Sequence, residues 1–124
     1  MSTRCRIGIL NEDGSVDSIY CHFDGYPEGV GTELIESWTN EGNIRELIKL
    51  GNISSLGDCL LKCDAYIRDR GEDEEGNLAR HDESMAEYIK QGENIWIEFL
   101  YLWVNGEWHV YRGNQGFLPV KCIL

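Results

Sequence analysis

The sequence predicts an α+β fold: a mainly antiparallel sheet, built from an N-terminal hairpin, a middle strand and a long C-terminal hairpin, with about three helices packed on it. Three observations predict it. Residues 4–10 and 16–23 read as strands on either side of Asp13-Gly14, a dipeptide that accepts positive φ. Residues 96–104 and 108–112 are rich in aromatic and apolar groups and flank Asn105-Gly106, the strongest short hairpin signal. Between the hairpins lie stretches with helical spacing, such as Val30, Leu34, Ile35 and Trp38.

The N-terminal pair is expected to register residues whose numbers sum to 26. Cys5 then faces Cys21, Ile7 faces Ile19 and Ile9 faces Asp17. One face carries Cys5, Ile7, Ile9, Ile19, Cys21 and Phe23 toward the core, and the other carries Arg4, Arg6, Tyr20 and His22, with Arg4 opposite His22. Pro27 sits where a helix starts, because its missing N–H is no loss there. A second helix follows, with Asn43 as N-cap, Glu46 completing a capping box, and Gly51 as its stop. Its buried stripe is Ile44, Leu47 and Ile48. Residues 52–57 read as a connection, and Ala65 to Arg68 as extended chain. Glu72 to Glu75, followed by Gly76-Asn77, read as an exposed, mobile loop. A short helix capped by Asp82 comes next, with Met85, Tyr88 and Ile89 inward and Gly92 as its stop. In the C-terminal hairpin a type I′ turn pairs residues summing to 211, from Trp103–Trp108 to Phe99–Arg112. Both its faces are apolar, so it is expected to be central and covered on both sides, by this chain or by a second copy in a homo-oligomer. Phe117 to Leu124 add a short last strand.

The 124 residues are read as a single domain, 1–124, long enough to bury a core without disulfide or metal staples. Twenty-two acidic residues against 11 basic ones give a formal net charge of −11. Such a surface repels nucleic acid and anionic membranes at long range. It suits a basic protein partner, or simply keeps the chain in solution. The N-terminus lacks the apolar core of a secretory signal, and no run approaches the ~18 apolar residues of a membrane span. The five cysteines have no small-scaffold spacing and read as reduced thiols of a cytosolic protein. Cys59 and Cys63 are too isolated for a zinc site, so neither metal nor cofactor is expected.

The stretch from Ser18 to Gly31 is the first candidate site. It passes from strand to helix through Tyr20, His22, Asp24 and Tyr26, with Gly25, Pro27, Gly29 and Gly31 shaping the backbone. An imidazole with a nearby carboxylate, His22 with Asp24, is a plausible acid–base pair. The bland alternative has Asp24 capping the turn and His22 packed against Arg4 and Tyr20. Arg68-Asp69-Arg70 is the second candidate, since two guanidinium forks suit a phosphate or carboxylate. Arg4, Arg6, Arg68 and Arg70 are expected to group as a local positive pocket in a negative field. The bland alternative is a solvated strand end, with Arg68 and Arg70 paired to the acids that follow. Phosphate loops, the dinucleotide glycine motif, HExxH and the serine elbow are absent from the sequence.

Met1-Ser2-Thr3-Arg4 with Ile7-Gly8-Ile9, Tyr20-Cys21-His22-Phe23-Asp24-Gly25-Tyr26, residues 47–57 and Arg68-Asp69-Arg70-Gly71-Glu72 form a set that resembles a family of small phage-encoded proteins. The likeness spans most of the chain; the family commonly has Trp where Phe23 stands. The resemblance implies a viral protein acting in the host cytoplasm and, by context, against host defences. The expected function is sequestration of a small anionic, nucleotide-like host signal by Arg4, Tyr20, His22, Asp24, Tyr26, Arg68 and Arg70. Two alternatives stay open: an enzyme hydrolysing such a signal with His22 and Asp24, and an acidic protein occluding a nucleic-acid-binding host enzyme.

Overall fold

The computed structural model describes residues 2–94 and 97–124. It is an α+β arrangement around an eight-stranded, mixed but mostly antiparallel sheet. The strands are β1 (Cys5–Leu10), β2 (Val16–Cys21), β3 (Ile53–Ser55), β4 (Asp64–Ala65), β5 (Arg80–Asp82), β6 (Phe99–Val104), β7 (Glu107–Tyr111) and β8 (Phe117–Pro119). They lie in the order β4-β3-β2-β1-β6-β7-β8, and β5 pairs with β2 off that path. The pairs β1–β6 and β2–β3 are parallel and the others antiparallel. Among the described residues there are four α-helices rather than about three: α1 (Thr32–Ser37), α2 (Glu41–Lys49), α3 (Tyr66–Arg70) and α4 (Met85–Asn94). No helix among the described residues is long and apolar enough to cross a membrane.

Local sequence explains both hairpins. The β1–β2 register is Cys5↔Cys21, Ile7↔Ile19 and Ile9↔Asp17, as the alternation requires. In the β6–β7 turn Asn105 and Gly106 take φ of 52° and 76°, the two positive values that a type I′ turn needs. Pairing there runs from Val104↔Glu107 to Tyr101↔Val110, short of the expected Phe99–Arg112 pair. The expected start of this strand at Trp96 lies outside the described residues.

The odd-numbered face of β1 carries Cys5, Ile7 and Ile9 and meets Tyr101, Trp103 and Trp108, with α1 and α2 closing over it. Trp38, from the end of α1, donates its indole N–H to the Gly57 carbonyl at 3.0 Å, and Trp108 donates to the Trp38 carbonyl at 2.7 Å. Each ring therefore buries its apolar area with its polar atom satisfied, a gain of roughly 1.5–3 kcal/mol per side chain. The even-numbered face carries Val16, Leu100 and Leu102 under Tyr88 of α4. The hairpin is thus central and both its faces are covered by this chain's own helices.

Several local expectations are corrected. Phe23 is 44% exposed rather than in the core, because β2 ends at Cys21 and the chain turns before Phe23 can follow the pleat. The α2 cap is Asn40, whose side chain accepts from the Asn43 N–H, so Asn43 lies inside the helix. The connection 52–57 contains β3. The segment Ala65 to Arg68 is extended only at Ala65 and then coils into α3, where the Asp69 carboxylate accepts the Ala65 N–H at 2.8 Å and secures the first turn. Asp82 belongs to β5, and Ser84 caps α4 by accepting from the Glu87 N–H. Gly92 does not stop α4. It sits within the helix because a Cβ there would lie 2.7 Å from Leu100 Cδ2, so its smallness sets how closely α4 lies on β6.

Candidate functional site

The strand–turn motif is divided by the structure into two places. Tyr20 and His22 leave β2 on its even face. The Tyr20 hydroxyl and His22 Nδ1 lie 2.6 Å apart, with ring centroids 5.9 Å apart and tilted. Among the described residues His22 Nε2 has no hydrogen-bond partner. Phe23 meets the imidazole edge-on at 4.5 Å. Burial raises the pKa of the Tyr20 hydroxyl, and the nearby Arg4 guanidinium pulls it back. Tyr20 therefore stays a neutral hydroxyl near pH 7.

Asn52 fixes this pair in place. Its side-chain oxygen accepts the Tyr20 N–H at 2.9 Å, its carbonyl accepts the Tyr66 N–H at 3.2 Å, and its amide group donates to the Gly76 carbonyl at 3.1 Å. Strand β2, helix α3 and the exposed acidic loop after it are thus tied to one residue. The loop is exposed as expected, but its end is anchored, since Asn77 O also accepts the Asn52 N–H at 2.8 Å.

Asp24 and Tyr26 lie past the turn, along the start of the Pro27 helix. Asp24 takes φ of 58°, and its carbonyl accepts the Val30 N–H at 2.8 Å. The Tyr26 hydroxyl reaches Asp24 Oδ1 at 3.5 Å. Together with Phe23, Glu33, Ser55 and Leu56 they line a small cleft of about 210 Å³. With two carboxylates and no arginine or lysine in its wall, that cleft is unsuited to an anion. Among the described residues no hydrogen bond or ion pair joins His22 to Asp24, so the imidazole is oriented by tyrosine rather than by a carboxylate.

The two arginines of the second motif are engaged within the chain. Arg68 forms a forked pair with Asp69, at 2.9 Å and 2.8 Å, and donates to the carbonyls of Leu60 and Cys63 at 2.9 Å and 2.7 Å. Its donors hold the turn before β4. Arg70 pairs with Asp64 at 2.6 Å and lies over the Tyr66 ring, 5.2 Å from its centroid. Both carboxylates raise the pKa of their arginine partners and keep the guanidinium forks occupied. Tyr66 brings Arg70 to the border of the Tyr20 face through Asn52; no such link carries Arg68 there among the described residues.

Arg4 and Arg6 behave differently. Among the described residues neither forms an ion pair with a carboxylate, although acids outnumber bases two to one in this chain. Arg6 is 5% exposed, and its Nε and Nη2 donate to the hydroxyl and carbonyl oxygens of Ser18, both at 3.0 Å. Burial, with Arg80 nearby, lowers its pKa to about 10, so it remains charged at neutral pH. Arg80 of β5 stands opposite Ser18. Sequence reasoning missed it because a three-residue strand is too short to show alternation.

A second missed constellation lies on the other face of β2 and β5. His81 Nδ1 and Asp17 Oδ1 are 2.6 Å apart, and Asn11 Nδ2 donates to the other Asp17 oxygen at 3.1 Å. Arg45 of α2 stands 3.7 Å from the same carboxylate. This is an imidazole–carboxylate dyad with an oriented carboxylate, at a position that only the β2–β5 pairing reveals. Compared with known protein families, curated proteins and solved structures, the chain matches none.

Proposed function

We propose that this protein binds and sequesters a small anionic, nucleotide-like molecule on the even face of β1 and β2, as a phage accessory protein that withholds a defence signal in the host cytoplasm. The observation that carries the reading is a pair of arginines, Arg4 and Arg6, that no carboxylate neutralises among the described residues, beside the hydrogen-bonded Tyr20–His22 pair. Guanidinium groups supply charge-assisted hydrogen bonds to an anion, and the tyrosine and imidazole rings offer surfaces against which a base packs. The acidic remainder of the surface disfavours polynucleotides and leaves this face to small ligands. Arg70, on Tyr66, borders the face; Arg68, Asp24 and Tyr26 serve elsewhere in this reading. The phage assignment and the counter-defence role rest on the motif resemblance.

A second reading, an enzyme acting on such a molecule, draws on the His81–Asp17 dyad rather than on His22 and Asp24. The carboxylate orients the imidazole there as acid–base catalysis requires.

Mass spectrometry of small molecules released from denatured protein, after incubation with infected-cell extract, separates the readings. Recovery of an intact anionic molecule supports sequestration. Recovery of an altered one, with His81→Gln abolishing the alteration, supports the enzyme. If nothing is recovered, and acidic variants lose activity instead, the protein works by occluding a partner. In the first case Arg4→Ala weakens binding by about 2 kcal/mol, roughly thirtyfold, and Tyr20→Ala by roughly 1–3 kcal/mol.

A further inference from the structure

Arg6 is an unusual residue to find at the middle of a sheet. It is a charged side chain more than nine-tenths buried, held among the described residues by the hydroxyl and carbonyl of Ser18 alone. Its third nitrogen, Nη1, has no hydrogen-bond partner among the described residues. Burial of an ion without a counter-ion costs several kcal/mol, and chains normally avoid it or pair the group.

A second guanidinium stands beside it. Ser18 pairs with Gly8 on β1 and with Arg80 on β5, so Arg6 and Arg80 lie on opposite sides of Ser18 and on the same face of the sheet. Arg80 Nε donates to Asp82 Oδ2 at 3.0 Å. Its Nη2 lies 3.0 Å from that same oxygen, off line for a hydrogen bond, and is buried with no other acceptor among the described residues. Asp82 is thus paired with Arg80 and not with Arg6, and among the described residues Arg80 Nη2 and Arg6 Nη1 have no hydrogen-bond acceptor. The like charges are close enough that Arg80 adds to the lowering of the Arg6 pKa by burial.

A cleft of about 460 Å³ leads to Arg80, between β5 and the first turns of α4. Ser84, Glu87 and Gln91 form its helix side, and His81 and Glu83 its rim. Asp82, Glu83 and Glu87 also line it and oppose a polyanion.

We propose that Arg6, Arg80 and the Ser18 hydroxyl form an anion subsite that takes the phosphoryl group of a monophosphorylated ligand, entered from the cleft beside α4. The inference rests on the nucleotide-binding reading above and deepens it. The phosphoryl oxygens accept from Arg6 Nη1 and Arg80 Nη2, and the rest of the ligand extends along the face toward Tyr20 and His22.

The test uses two probes, inorganic phosphate and adenosine 5′-monophosphate, titrated at constant ionic strength. Binding is followed by the 15Nε resonances of Arg6 and Arg80 in the wild type, which requires no variant. The double variant Arg80→Gln/Asp82→Asn removes the guanidinium without stranding a buried carboxylate. If the proposal holds, both probes shift both Nε resonances, the double variant weakens both at least tenfold, and Tyr20→Ala weakens only the nucleotide. If phosphate binds in this way but the nucleotide gains nothing from Tyr20, the subsite stands and the nucleotide reading falls. If the nucleotide binds through Tyr20 with the Arg80 resonance unmoved and the double variant unchanged, the subsite is overturned and the nucleotide reading stands. If neither probe binds at millimolar concentration, both are overturned.

Discussion

Asp17 holds His81 across the β2–β5 pair, and that single contact gives the molecule a pH response. The hydrogen bond that His81 donates to Asp17, reinforced by the charges of Asp17, Glu83 and Asp13, raises the His81 pKa above its ordinary 6.5. Because the folded value is the higher one, the protonated pair stabilises the fold fully below the unfolded value. That contribution is lost as pH climbs through the raised folded value. Asp17→Asn should bring the His81 titration, followed by NMR of its ring protons, back toward the ordinary value. An unmoved midpoint would show that the contact does not control the imidazole. Other residues were harder to read from sequence. Parity placed Arg6 on the polar face correctly, but its burial was hidden, since it depends on Ser18 beside it and on Tyr88 of α4 packed across the neighbouring Gly8. Arg68 and Arg70 read as an anion fork because residue types do not reveal partners. Asp69, next in sequence, and Asp64, six residues before Arg70, take that role.

At the scale of elements, what was legible was what is decided locally. Asp13-Gly14 and Asn105-Gly106 fix their turns by backbone sterics, and the registers follow from them. The paired faces of β1, β2, β6 and β7 could therefore be counted off by number. Gly106→Val should lower stability by about 1 kcal/mol or more, since a β-branched residue resists φ of 76°, and the melting temperature should fall accordingly. An unchanged melting temperature would mean the turn relaxes into another type. Strands β3 and β5 were not legible because three residues show too little periodicity, whereas the expected last strand over 117–124 is present as β8 but ends at Pro119. All three exist because longer neighbours offer them an edge. Helix α3 was misread for a related reason: its first turn is stabilised by Asp69 reaching back to Ala65, an interaction that has no compositional signature. The candidate site inherits these limits. Tyr20, His22 and Arg4 were visible as one face, whereas Arg80 joined it through a strand that sequence did not show.

Across the whole molecule the charge is distributed unevenly in its consequences. Arg45, Lys49, Lys62, Arg68, Arg70, Arg80 and Lys121 each lie within ion-pair distance of a carboxylate. The net of −11 is therefore carried by acids left over on the surface, including Glu72 to Glu75. Exposed charges further than about 10 Å from a ligand are largely screened at 0.1 M salt. Changing Glu72, Asp73, Glu74 and Glu75 to their amides should leave binding of adenosine 5′-monophosphate within about twofold in calorimetric titration. Loss of binding with the fold retained would assign the acidic loop a direct part in recognition.

The outer edge of β2 is divided between two short strands, with β5 pairing Val16 to Ser18 and β3 meeting Cys21. Tyr20 falls between them, and its amide is closed by the side chain of Asn52 instead of by a strand. A sheet hydrogen bond opens only when backbone moves, but this one opens when a single side chain rotates. The Tyr20 amide should accordingly exchange with deuterium by a local route, faster than the amides of Ile7 and Ile9 on the neighbouring strand, and without global unfolding. Because the same residue carries the ring at the proposed ligand face, slowing of that one amide would report occupancy before any change in shape is measurable.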